Sequence, residues 1–405
     1  MRGRQLADRL VALTVVAALS VATCQPTMPT PAPTATSSLL RTATPTESAT
    51  RGPSTSPAPG PSAAPTVSGV VPVDVRLIGG PLNARMGPSG IWTGSEVIVW
   101  GGYHSSGSIA RPVTAYPASG AAYTLYGDEW RRIADAPIPG RYRHIAGWTG
   151  REMIVWGGYT ENRRQGTPPD GAAYNPTTDR WRRIAQAPLR WGQTRTSVMT
   201  DTEWVVAVTT KRDMVLAGYD PRADSWRLLP PVPVGPREDT RLVWASEALL
   251  FLDGDGMFRL ADTGSWVRSN ARAVGTQVVW TGSELISLDR YRPSALARYD
   301  PLADEWQDIE GPTVDAARLI WTGTHALLIA DLDAPSYLYN PATEIWLELA
   351  WPERLHIRDH ASVWADDQLV EWGGWSGGDG SQPTDAGWAV RPDVRHAELF
   401  DPSEP

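Results

Sequence analysis

The chain has 405 residues, 41% hydrophobic and 20% charged, a globular composition that excludes a fibre or a wholly low-complexity polymer. Its formal net charge is −8, and about −10 once the three Arg and one Asp of residues 1–23 are set aside, which makes nucleic acid and anionic membrane surfaces poor partners. A single Cys excludes an intrachain disulfide, and 20 Trp beside 3 Phe point to an aromatic motif that repeats.

In chain order, a basic stretch ending at Arg9 is followed by the apolar run Leu10–Val21. That run is too short to span a bilayer comfortably and reads as an export signal over residues 1–23. It ends Val21-Ala22-Thr23-Cys24, which resembles a bacterial lipobox, although Val21 and Thr23 stand where Leu and a smaller residue are usual. The resemblance implies that Cys24 carries a palmitate-type lipid and anchors an exported protein to the outer face of the cell membrane. A plain secretory signal is the alternative. Residues 24–68 are almost all Pro, Thr, Ser and Ala, with too little apolar surface to offset ordering, and form a disordered spacer.

From about residue 69 to the end, two landmarks alternate. One is a Trp-Thr-Gly type turn between short apolar runs, at Trp92, Trp148, Trp244, Trp280, Trp321 and Trp364, with Met199-Thr200-Asp201 in the third slot. The other is an aromatic residue, Asn/Asp-Pro, an acidic residue and then Trp, as in Tyr174-Asn-Pro to Trp181 and Tyr219-Asp-Pro to Trp226. Both are hairpin turns, since Gly supplies positive φ and Pro presets the first turn position. Each unit therefore reads as four strands. The second strand of each, such as Val97–Trp100 or Ala248–Leu252, is apolar on consecutive residues, as in a strand covered on both faces.

Four-stranded units of about 36–56 residues make an all-β propeller. There is no Gly-His…Trp-Asp pairing of the WD40 kind. The Gly pair after strand two (Gly101-Gly102, Gly157-Gly158, Gly373-Gly374), the Tyr of strand three and the Trp of strand four resemble the kelch repeat over about residues 72–405. Seven turn positions but six complete strand-four Trp positions predict seven blades, with the N-terminal strand Val73–Ile78 completing the last one. No cofactor is expected. Copper oxidases on this fold need a Tyr–Cys crosslink, and the only Cys here is Cys24.

The repeated Trp residues are expected to be core, so function belongs to residues that break the pattern. Long strand two–three loops occur in three blades, which ring closure makes neighbours. They would raise a crest carrying Tyr103, His104, Tyr159, Arg163, Arg164, Trp375 and Asp379. Residues just before each Trp-Thr-Gly turn are expected to line a central mouth: Arg143, His144, Arg195, Asp239, Arg241, Gln277, Arg318, Asp359 and His360. Glu371 occupies a slot that holds Val99, Val155, Val206, Phe251, Ser287 and Leu328 elsewhere, so its carboxyl is expected to be partly buried with a raised pKa. Metal signals are weak; His356 and His360 do not fall on one helical face. The expected function is non-enzymatic binding of a glycan or protein at the cell envelope. The alternative is a sugar-active enzyme of mutarotase or lyase type using Glu371, His144 or His360.

Overall fold

A computed structural model describes residues 67–394 apart from 109–110, 162–167, 190–191, 238, 246, 270–274, 276, 289–295, 313–315, 331–333, 352–358 and 377–381. The export signal, residues 24–66 of the spacer, Cys24, Arg163, Arg164, His356 and Asp379 lie outside the described residues, as does the side chain of Arg195, while residues 67 and 68, expected to end the spacer, already belong to a strand. All described strands belong to one compact unit, Ser62–Pro405.

The architecture is all-β. Five four-stranded antiparallel sheets follow one another along the chain, at 89–132, 145–183, 193–228, 241–268 and 277–309, here sheets one to five. An eight-stranded sheet closes the series. It consists of sheet six (316–350) and sheet seven (361–392), joined by the long strand Val67–Ile78. The half of that strand anticipated from sequence does pair with Gly387–Pro392, antiparallel from Val73↔Pro392 to Ile78↔Gly387. Its earlier half runs parallel to Ile345–Ala350, a pairing the repeat pattern did not foretell. One strand thus stitches sheet six to sheet seven.

Turn chemistry explains why the sheets recur. At the first hairpin, the Thr93 hydroxyl oxygen accepts the N–H groups of Ser95 (3.3 Å) and Glu96 (3.0 Å), and Thr149, Thr200, Thr281 and Thr322 do the same. At the second hairpin, Asp128, Asp179, Asp224 and Asp304 take φ between 48° and 54°. Their carboxylates accept the hydroxyls of Tyr123, Tyr174, Tyr219 and Tyr299 at 2.6–2.8 Å. The consecutive apolar runs are second strands buried along their whole length, as in Val97–Trp100, Met153–Trp156 and Ala248–Leu252.

The strand-four Trp residues pack between sheets. Trp181, Trp226, Trp266 and Trp346 each donate an indole N–H to a backbone oxygen of the preceding sheet: Ala134, Ala185, Pro230 and Glu310, at 2.7–2.9 Å. First strands also touch in succession. The strand Ser89–Trp92 contacts Ala361–Ala365 on one side and Ile145–Trp148 on the other, and the series continues through Gln193–Met199, Arg241–Ala245 and Gln277–Trp280 to Ala316–Trp321. From there Arg318 hydrogen-bonds Ser362 (2.8 Å), which returns the series to its start.

Candidate functional site

Two groups of predicted residues come together. The first is at the long loops. The loop after Trp100 folds into a hairpin, His104–Ser108 with Arg111–Ala115. The loop of sheet seven begins with a shorter one, Trp375–Ser376 with Gln382–Pro383. The backbone of Tyr103 exchanges two 2.8 Å hydrogen bonds with Met86, and Tyr142 does likewise with Tyr159 at 2.9–3.0 Å. Gly374 N–H donates to Arg85 O (2.8 Å), so Trp375 and Tyr103 both leave from strands docked on the segment 85–86.

These ties align four partly exposed tyrosines. Ring centroids lie 4.8 Å apart for Tyr103–Tyr142, 5.6 Å for Tyr142–Tyr159 and 5.8 Å for Tyr116–Tyr142. The Arg143 guanidinium lies 5.9 Å from the Tyr142 ring centre, and Arg143 is exposed with a left-handed φ of 53°. His104 is held through Nδ1 to Ala84 O (2.8 Å).

Sequence reading named Tyr103 and Tyr159 but missed Tyr116 and Tyr142, which complete the row. It also missed Arg85 and Arg141, which hold the loops in place. Arg85 is 3% exposed and donates to Asn83 O, Gly101 O and Ser119 O at 3.0–3.3 Å. Arg141 is fully buried and binds Gly157 O, Asp170 O and the Asp170 carboxylate at 3.0–3.2 Å. Burial, then Arg132, lowers the Arg85 pKa to about 10; burial also lowers that of Arg141, against the pull of Asp170. A signal was present: Arg85, Arg141 and Arg237 each stand at the same offset before Trp92, Trp148 and Trp244, and Arg237 likewise pairs with Asp255 (2.6 Å) in the loop of its own sheet.

The second group is at the inner seam between sheets six and seven. Arg318 Nη2 lies 2.6 Å from Glu371 Oε1, while Arg318 Nη1 lies 2.8 Å from both His360 Nε2 and Ser362 Oγ. His360 Nε2 is also 3.1 Å from Glu371 Oε1. The slot comparison predicted partial burial of Glu371, and the residue is more deeply buried than that, with only 9% exposed. The predicted direction of its pKa is overturned. Burial pushes the carboxyl up, but the His360 hydrogen bond and the Arg318 guanidinium overcome it and hold the group down at about 2. The sequence could not show which arginine would face it.

The remaining mouth residues are dispersed in role. His144 is buried, edge-on to Trp100 (4.9 Å), with Nε2 2.8 Å from Ser89 Oγ. Burial, then Arg141, drops its pKa to about 3, so it is a neutral packing residue at ordinary pH. Arg241 Nη1 donates to Thr240 O (2.9 Å). Asp359 is exposed with φ 51°, and its backbone oxygen accepts Gly87 N–H (2.6 Å). Gln277 is partly buried at the start of its strand, and Asp239 is exposed. Among the described residues no three His, Cys, Asp or Glu side chains converge as metal ligands. Comparison with known protein families and with curated proteins finds no family model and no relative that matches the chain.

Proposed function

We propose that the chain is an exported, lipid-anchored, seven-bladed propeller of kelch type that binds a glycan or protein partner through the loops of adjacent blades. The seven four-stranded sets, the cyclic succession of first strands and the N-terminal strand paired into the seventh set support the propeller reading. The observation that carries the binding reading is the tyrosine row. Four part-exposed rings from two adjacent sheets meet beside an exposed Arg in strained backbone, the residue types that dominate recognition surfaces.

The enzymatic reading has less support. A general acid or base works best with a pKa near the working pH, whereas Glu371 is held at about 2 and His144 at about 3. A glycan array and a pull-down from envelope fractions, run with wild type and a Tyr103→Ala/Tyr142→Ala/Tyr159→Ala variant, test the binding site. Loss of at least tenfold in affinity is expected, since one anchoring Tyr is worth about 2 kcal/mol. Unchanged binding by a variant of unchanged thermal stability removes the row from consideration. Palmitate labelling of wild type but not Cys24→Ser tests the anchor.

A further inference from the structure

The seam between sheets six and seven contains groups that packing alone does not require. In the slot of Glu371 the other six sheets place Val99, Val155, Val206, Phe251, Ser287 and Leu328. Five of these six are apolar, so an apolar side chain suits the fold there, and a buried ion pair is often no more stable than the apolar residues that would replace it. The seam also strands a nitrogen. His360 Nε2 lies within reach of an Arg318 N–H and a Glu371 oxygen and can serve only one of them, as acceptor or as donor. In either tautomer Nδ1 is buried without a partner, on a side chain only 8% exposed. His144 Nδ1, on a packing residue, is buried without a partner too, so the orphan nitrogen adds to the case only beside a charged pair in a mostly apolar slot.

The cluster also has uncommitted valences on atoms that are not sealed from solvent. The contacts of Glu371 with Arg318, His360 and Ser362 fall on Oε1. Among the described residues Oε2 has no hydrogen-bond partner, and it is not among the sealed polar atoms. On Arg318, 29% of the side chain is exposed; Nη1 serves Ser362 and, where His360 Nε2 is the acceptor, His360, and Nη2 serves Glu371, which leaves at least Nε–H and one Nη2–H uncommitted. An ionised acceptor and a cationic donor thus stand side by side. A charged ligand attracted by one is repelled by the other. A neutral molecule with adjacent hydroxyls satisfies both, donating to Oε2 and accepting from the guanidinium.

We propose that the Arg318–Glu371 pair, positioned by His360 and Ser362, is a second binding site, separate from the tyrosine row, for a neutral polyhydroxyl ligand of the saccharide class. The site depends on the geometry of the seam and not on the loop reading, so either can fail without the other.

Saturation-transfer NMR on the full chain tests it, with methyl α-glucoside, methyl α-mannoside, methyl β-galactoside and maltose as probes and glucuronate and glucosamine as charged counterparts. At least one neutral probe is expected to bind at millimolar concentration or better. Glu371→Gln and Arg318→Met should each weaken it at least tenfold, and Tyr142→Ala should leave it unchanged. Should those two variants fail to fold, Ser362→Ala keeps the ion pair while removing a partner of Nη1, and it should weaken binding severalfold. The proposal is overturned if no neutral probe binds, if a charged counterpart binds tenfold tighter, if the seam variants bind as wild type does, or if Tyr142→Ala abolishes the signal.

Discussion

Replacing Glu371 by Gln should destabilise the protein by an amount that shrinks as the pH falls. The carboxyl moves from an ordinary 4.5 to about 2 on folding. A group whose folded pKa is depressed stabilises the fold above its unfolded pKa and loses that contribution as pH falls through the folded one. The full shift corresponds to about 3 kcal/mol at pH 7, dropping to about 1.4 kcal/mol at pH 3 and to about 0.4 kcal/mol at pH 2. The part exposure of Arg318 lets solvent screen the pair, so these are upper figures. Denaturant unfolding of wild type and Glu371→Gln in parallel at pH 7, 5, 4 and 3 isolates this one group, because the other carboxylates titrate alike in both chains. The difference should hold steady from pH 7 to pH 5 and fall by half or more by pH 3. A difference that stays flat across the series, or that is absent at pH 7, would refute the claim that Arg318 and His360 hold this carboxylate ionised. Glu371→Leu combined with Arg318→Leu gives the complementary result. It should recover most of the loss, since removing both charges together leaves neither of them buried without its partner.

Four further outcomes follow from the backbone. Gly102 has φ 89°, and a Cβ there would lie 2.7 Å from Met86 O and 3.1 Å from Pro88 N, so Gly102→Ala should cost about 2–4 kcal/mol in urea unfolding. Gly94 has a similar φ of 95° but open space around it, so Gly94→Ala should cost only about 1–2 kcal/mol. A chain that begins at residue 73 loses the parallel pairing with sheet six and the buried Val71, and its thermal transition should fall but survive. A chain that begins at residue 79 also loses the outer strand of sheet seven and the buried Ile78, and limited proteolysis should then find the region 361–392 cut rapidly.

The turns were legible in the sequence because their chemistry is local. Thr93 binds Glu96 N–H and Asp128 accepts from Tyr123 within five residues, so each repeat carries its own instructions. The packing role of the strand-four Trp was legible because one residue type recurs at one slot, and Trp181, Trp226, Trp266 and Trp346 all reach the preceding sheet. Contacts between sheets at unrepeated positions were not legible. Glu371 was flagged by comparing slots, but its charge state depends on Arg318 in the neighbouring sheet, and nothing local to either residue names the other. The parallel half of Val67–Ile78 was hidden for a similar reason: its partner, Ile345–Ala350, has the pattern of any fourth strand.

The glycine pair ties these observations together. Gly101-Gly102, Gly157-Gly158 and Gly373-Gly374 all have φ between 72° and 92°, and they occur in sheets one, two and seven, which also carry the long loops. Elsewhere the same place is turned differently. Thr210 accepts from Arg212 and Asp213 N–H in sheet three, and Asp253 accepts from Asp255 and Gly256 N–H in sheet four. Loss of the pair therefore changes the loop and leaves the sheet intact. In sheets seven and one the pair docks onto the next sheet: Gly374 N–H binds Arg85 O, and Gly102 N–H binds Arg141 O (2.9 Å). The acceptors belong to the two buried arginines that also hold the long loops by their carbonyls. The pair thus fixes how one loop sits on its neighbour, which is what aligning Tyr103 from one sheet with Tyr142 from the next requires. Alignment of the tyrosine row and the left-handed glycine pair are then one constraint, and on the proposed binding reading a Gly102 substitution should weaken partner binding even at temperatures where the fold survives.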